Sequence, residues 1–138
     1  MQEFYFDENL FDLWNNEKKL LNRKIRIVNP KPREIRYIKI GVNVWNEIFW
    51  KIWFFRPVLV ISKIGNMLFC VPMTTKWKHP EYYIRILSVW QFKKSYIVIN
   101  QWRTFDAQRF FTKIAKISVE ESKQIKKLLC YRYFPEVL

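Results

Sequence analysis

The spacing of hydrophobic and polar positions changes period along this chain, and the changes divide it. Leu10, Leu13, Trp14, Leu20 and Leu21 share one helical face with Glu17 among them, and Asp7 or Asn9 can serve as the cap, which predicts a helix from about Asn9 to Asn22. The run Asn29-Pro30-Lys31-Pro32 cannot continue it, because each proline removes a donor and pushes its predecessor into extended geometry. It reads as a hinge, which makes residues 1–33 a helical extension and residues 34–138 the main domain. From Glu34 to Gly41 the pattern turns to period two, as in a half-buried strand. Val58-Leu59-Val60-Ile61 is a β-branched-rich apolar run that suits a central strand. Gly65-Asn66 turns it into a hairpin partner, Met67 to Met73. Further strands are expected at Tyr82–Leu87, Tyr96–Asn100 and Phe111–Ile117, and a helix follows. Its N-terminus carries a capping box, Ser118 with Glu121, and its apolar stripe is Val119, Ile125, Leu128 and Leu129. Short strands with few helices predict a mainly β, α+β domain: a small β-barrel or a strongly twisted sheet with a helix at each end.

Composition narrows the partners. The chain has 138 residues, half of them hydrophobic, enough for one packed core. Its 25 Lys and Arg against 12 Asp and Glu leave a formal charge of +13, so its partners should be polyanions, nucleic acid first. Aromatic residues make up 19% of the chain, and rings beside cations are what single-stranded nucleic acid stacks on, although most rings here are expected in the core. Cys70, Cys130 and the lone His79 lack metal-ligand spacing, so neither a metal site nor a cofactor is expected. The greasy stretch Val42–Ser62 is broken by Asn43, Asn46, Glu47, Lys51, Arg56 and Pro57 and falls short of about 18 uninterrupted apolar residues. With no export signal at the N-terminus, the expected location is the cytoplasm.

Four pieces in order resemble the MazF/PemK family of toxin ribonucleases. They are Arg56-Pro57-Val58-Leu59-Val60-Ile61-Ser62, Val71-Pro72-Met73-Thr74-Thr75-Lys76, Asn100-Gln101-Trp102-Arg103-Thr104-Phe105-Asp106, and Lys113-Ile114-Ala115-Lys116-Ile117 leading into the last helix. The likeness spans roughly residues 34 to 130. It implies an SH3-like barrel with a terminal helix and the toxin component of a type II toxin–antitoxin system. Such a toxin is a metal-independent endoribonuclease acting on single-stranded RNA as a homodimer. The implied partners are a cognate antitoxin that neutralises it and operator DNA reached through that antitoxin; no membrane partner is implied.

Cleaving RNA without a metal requires the 2′-OH to lose a proton and attack the adjacent phosphorus while charge builds on the phosphoryl oxygens, so a cation and a hydroxyl donor are needed there. Arg56 can hold the phosphate bidentately, and the resemblance implies a part for it in proton transfer. Thr74 and Thr75 can donate hydroxyls; the alternative is that they satisfy a turn. Lys76, Trp77 and Lys78 alternate cations with a ring and, with Gln101 and Arg103, are the candidate RNA-binding residues. Asp106 is read as structural, within reach of an Arg103 ion pair, and His79 as a solvated loop histidine. Two other readings compete: a catalytically inactive nucleic-acid-binding module, given the aromatic first loop with Trp45, Trp50, Trp53 and Phe54, and a membrane-surface adaptor using Ile48 to Phe55.

Overall fold

The computed structural model describes residues 8–23, 28–40, 55–89 and 94–137. The expected first loop, its four aromatics and most of the Ile48–Phe55 patch lie outside these residues. Among the described residues helix α1 (Glu8–Arg23) comes first, and seven strands follow: β1 (Glu34–Lys39), β2 (Phe55–Ile64), β3 (Met67–Thr74), β4 (Tyr83–Arg85), β5 (Tyr96–Val98), β6 (Arg103–Asp106) and β7 (Phe110–Lys116). Helix α2 (Val119–Tyr133) closes the fold. Asn9 sits inside the first turn of α1 and does not cap it from outside; Asp7 lies beyond the described residues.

The strands pair antiparallel in the order β4-β5-β3-β2-β1-β7, with β6 also on β3. Sequence reasoning missed β6 as a strand, placing its residues after a strand end. Four residues with no apolar alternation carry little pattern, and the pairing with Met67–Cys70 of β3 makes the strand. Strand β2 is central as expected: Val58 and Val60 face one buried cluster with Ile38, Leu68, Cys70, Phe105 and Phe110, while Leu59 and Ile61 face another with Ile35, Val71, Ile97, Ile125 and Leu129 of α2. Burial on both sides explains why the run is apolar without alternation. A bulge between Val60 and Ser62 bends β2, and Gly65, at φ 59°, takes the first of two turn positions before β3, where a β-carbon would be strained. The result is a curved, barrel-like sheet, mainly β in an α+β chain, whose pairing path stays open between β4 and β7.

A polar clasp spans that opening. Ser118 caps α2 by accepting from the Glu121 amide at 3.1 Å. The returning half of the expected capping box is relayed: the Glu121 carboxylate accepts from the amides of Leu87 (2.7 Å) and Ser88 (3.1 Å) and from the Ser88 hydroxyl, while Ser88 Oγ accepts from the Ser118 amide at 3.1 Å. The segments following β4 and β7 are thereby joined. Val119, expected in the apolar stripe, stays exposed; Ile125 and Leu129 are buried. In α1 only Trp14 of the expected stripe is buried, with Leu10 and Leu21 against it, and Leu13 and Leu20 face solvent.

Between α1 and β1 the chain is tied to the sheet. Pro30 is buried, the Arg33 amide donates to Val60 O at 2.9 Å, and the Ile117 amide donates to Arg33 O at 3.0 Å. Arg33 holds φ at 72°, a left-handed conformation that costs a non-glycine residue about 1–2 kcal/mol. Glu34 beside it is buried. Burial raises its pKa, but the Lys31 amide (2.7 Å), the Arg36 guanidinium (3.0 Å) and the Lys113 ammonium (3.5 Å) together hold it below the ordinary carboxylate value.

Candidate active site

Arg56 is the second residue of β2, opposite Ile38 of β1, and the central strand fixes its backbone. Its side chain is half-buried. The guanidinium donates from Nε to Met73 O at 3.4 Å and from Nη1 to Gln101 Oε1 at 3.5 Å, both at the long limit of hydrogen bonding. Burial lowers its pKa to about 10, with Tyr83 nearby pulling the other way. An arginine in such a place still carries its charge at neutral pH and gives up its proton far more readily than one in water.

Two cavities meet at this side chain. The larger, about 330 Å³, is lined by Arg56, Thr74, Thr75, Lys76, Tyr37 and Ser95 over a floor that includes Ile35, Pro57, Met73 and Ile114. The smaller is lined by Arg56, Gln101, Arg103, Phe105, Pro72 and Ile40. The distant segments read together in the sequence are thus adjacent, because β2 and β3 pair and the 3-10 turn Ile99–Gln101 and β6 follow on the far side of β3. Thr74 Oγ1 accepts from the Lys76 amide at 3.2 Å, so it does satisfy the turn, and its hydroxyl proton remains available to donate.

Trp77 and Lys78 are exposed beyond the rim and line neither cavity. His79 is exposed too, with its ring 5.1 Å from that of Tyr82. Asp106 is structural, but not through Arg103: it accepts from the Gln108 amide at 2.8 Å and caps a 3-10 turn. Arg103 instead lies over the Phe105 ring at 5.0 Å. Sequence reasoning missed Tyr37, Ser95 and Tyr83. Tyr37 had a signal, since its period-two position in β1 faces Pro57 across the pair; Ser95 and Tyr83 had none, because only tertiary folding brings them here.

The fold is that of the MazF toxins. The MazE–MazF crystal structure from Deinococcus radiodurans superposes with a TM-score of 0.56 at 14% identity, covering 79% of this chain and 98% of that one. A mycobacterial endoribonuclease in complex with its cognate antitoxin gives 0.57 at 11% identity, with 74% and 92% covered. Toxin MazF-mt6 of Mycobacterium tuberculosis gives 0.54 at 11%, with 73% and 96% covered. No curated individual sequence matches the chain. The family model of PemK-like, MazF-like toxins of type II toxin–antitoxin systems matches residues 51–132, more than half of the chain, and the protein belongs to that family.

Proposed function

We propose that this toxin is an endoribonuclease that cleaves single-stranded RNA without a metal ion, acts in the cytoplasm as a homodimer, and is neutralised by an antitoxin protein. The observation that carries the reading is Arg56: a desolvated cation with a pKa near 10 at the junction of one cavity bearing hydroxyls and another bearing Gln101 and Arg103. The structures it resembles are an endoribonuclease bound to its antitoxin and a MazE–MazF complex, and the family is that of type II toxins.

In this mechanism the scissile phosphate replaces the long contacts of Arg56 to Met73 and Gln101. The planar fork of Arg56 then faces two phosphoryl oxygens. In the minor fraction of molecules in which the lowered pKa leaves Arg56 neutral, its guanidine takes the 2′-OH proton as that oxygen attacks phosphorus, and the guanidinium so formed grips the phosphoryl oxygens. The 5′-oxygen leaves with the proton that Arg56 returns to it, and a 2′,3′-cyclic phosphate remains on the upstream product. Thr74 donates its hydroxyl to the oxyanion, with Thr75 beside it, while Lys76, Gln101 and Arg103 hold the strand on either side. Trp77 and Lys78 extend the contact beyond the rim.

The test is cleavage of a single-stranded RNA by purified protein in excess chelator, with Arg56→Ala as control. Cleavage by the parent but not the variant supports the proposal. Cleavage by neither leaves the inactive nucleic-acid-binding module as the better account, and equal cleavage by both moves the active site elsewhere.

A further inference from the structure

Helix α1 lies outside the segment matched by the family model, yet two lines of contact run from it to the residues around Arg56. The first begins at Trp14, 2% exposed. The Arg109 guanidinium stands 5.8 Å from the Trp14 ring and 5.8 Å from the Phe105 ring, and Arg103 covers Phe105 at 5.0 Å. Arg103 and Phe105 both line the smaller cavity with Arg56. The second begins at Glu17, paired with Lys39 at 2.6 Å. Lys39 lies 5.3 Å from the ring of Phe55, the residue before Arg56, and 5.4 Å from Phe111. The lines join where Arg109 Nη1 donates to Lys39 O at 3.4 Å.

We propose that α1 positions the site, with Trp14 and Glu17 as positioning residues that act through Arg109 and Lys39 on Arg103 and Phe55. Arg103 and Arg109 carry like charges and share the Phe105 ring, so each favours swinging away into water. Burial, then the nearby Arg103, depresses the pKa of Arg109, with Asp106 offsetting part of the shift. The Trp14 ring and the Lys39 carbonyl hold Arg109 in that place. Arg103 is thereby confined to the cavity side of Phe105, where an RNA phosphate or base edge meets a side chain that is already ordered. The proposal rests on the ribonuclease reading for its kinetic consequence but not for its geometry.

Loosening one long side chain that contacts substrate should weaken binding by about 3- to 10-fold, on the scale of the ordering cost of such a chain. Trp14→Ala should therefore raise KM for a single-stranded RNA oligonucleotide by that factor and leave kcat within about twofold, and Trp14→Phe should restore the parent KM. In an Arg103→Ala background Trp14→Ala should have no further effect on KM, as expected when two residues act through one contact. The Arg103 Nε–H resonance in a 15N spectrum should shift in Trp14→Ala in the absence of RNA. Glu17→Gln, which preserves size, should raise KM in the same sense, and it tests the idea if Trp14→Ala fails to fold. An unmoved Arg103 resonance, or additive KM effects in the double variant, would overturn the positioning role. A shifted Arg103 resonance in Trp14→Ala, together with a parent protein that cuts no RNA, would uphold it while removing the ribonuclease reading.

Discussion

At the scale of single residues, Arg56 combines three properties rarely found together: a fixed place on a central strand, partial desolvation, and contacts at the long limit of hydrogen bonding. Arg56→Ala should lower cleavage by roughly a hundredfold or more, the scale of losing a preorganised charge at the transition state. Arg56→Lys should also be badly impaired, because an ammonium lacks the planar fork. Stability should move the other way. Since burial depresses the pKa from the ordinary arginine value to about 10, the unfolded chain binds this proton more tightly. The charged residue therefore costs stability at pH 7, a cost relieved only as pH rises above about 10. Arg56→Ala should thus melt within about 5 °C of the parent or above it, as measured by calorimetry. If neutral Arg56 is the base, its fraction below pH 10 rises about tenfold per unit. Blank-corrected kcat should then climb between pH 7 and 9, and a flat profile would confine Arg56 to holding phosphate. Glu34 behaves oppositely. Its depressed pKa means that its contribution is present above the ordinary value of 4.5 and is lost as pH falls through the folded value. Glu34→Gln should cost about 1–3 kcal/mol at pH 7, the range for a buried charged hydrogen-bond partner, and should flatten the acid limb of a melting curve against pH.

Among the elements, the opening between β4 and β7 is the place where the sequence pattern was right about the parts and wrong about their use. Ser118 and Glu121 stand at capping-box spacing and α2 does begin there, but the Glu121 carboxylate turns to Leu87 and Ser88. Glu121→Ala should therefore destabilise more than Ser118→Ala. The serine contributes one cap worth about 1 kcal/mol, whereas the glutamate satisfies two amides and a hydroxyl. Hydrogen exchange would separate the two variants: the Leu87 and Ser88 amides should lose protection in Glu121→Ala and retain most of it in Ser118→Ala. Helix α1 shows the same division. Its start and length followed from apolar spacing, yet of the stripe that defined it only Trp14 became buried, its ring beside Arg109, while Leu13 and Leu20 stay exposed.

For the whole molecule, a charge of +13 on 138 residues makes association with RNA a counterion problem before it is a recognition problem. With about three phosphates held by Arg56, Lys76 and Arg103, single-strand affinity should fall by about tenfold or more between roughly 50 and 200 mM salt. Binding that is flat over that range would mean that the basic surface is not the RNA surface. The same field attracts any acidic segment of an antitoxin, so if the two meet through charge, salt should weaken that complex in the same sense.

What the sequence determined by itself were the features that depend on neighbours within a few residues. Period-two spacing set β1, a β-branched apolar run set β2, helical spacing set both helices, Gly65 and Asn66 set the hairpin into β3, and Ser118 set the start of α2; the four motif pieces set the family likeness. Those local signals also marked Arg56, Thr74, Thr75, Lys76, Gln101 and Arg103 as candidates. Tertiary structure alone decided that Arg56 meets Thr74 on one side and Gln101 on the other, that Tyr37 and Ser95 line the same cavity, and that Asp106 caps a turn while Arg103 lies on Phe105. It also decided how far Arg56 is desolvated, and hence its acidity. The reason is physical: a hydrogen bond from residue 56 to residue 101 and the loss of water around a guanidinium depend on which strands lie side by side, and spacing along a chain carries no record of that.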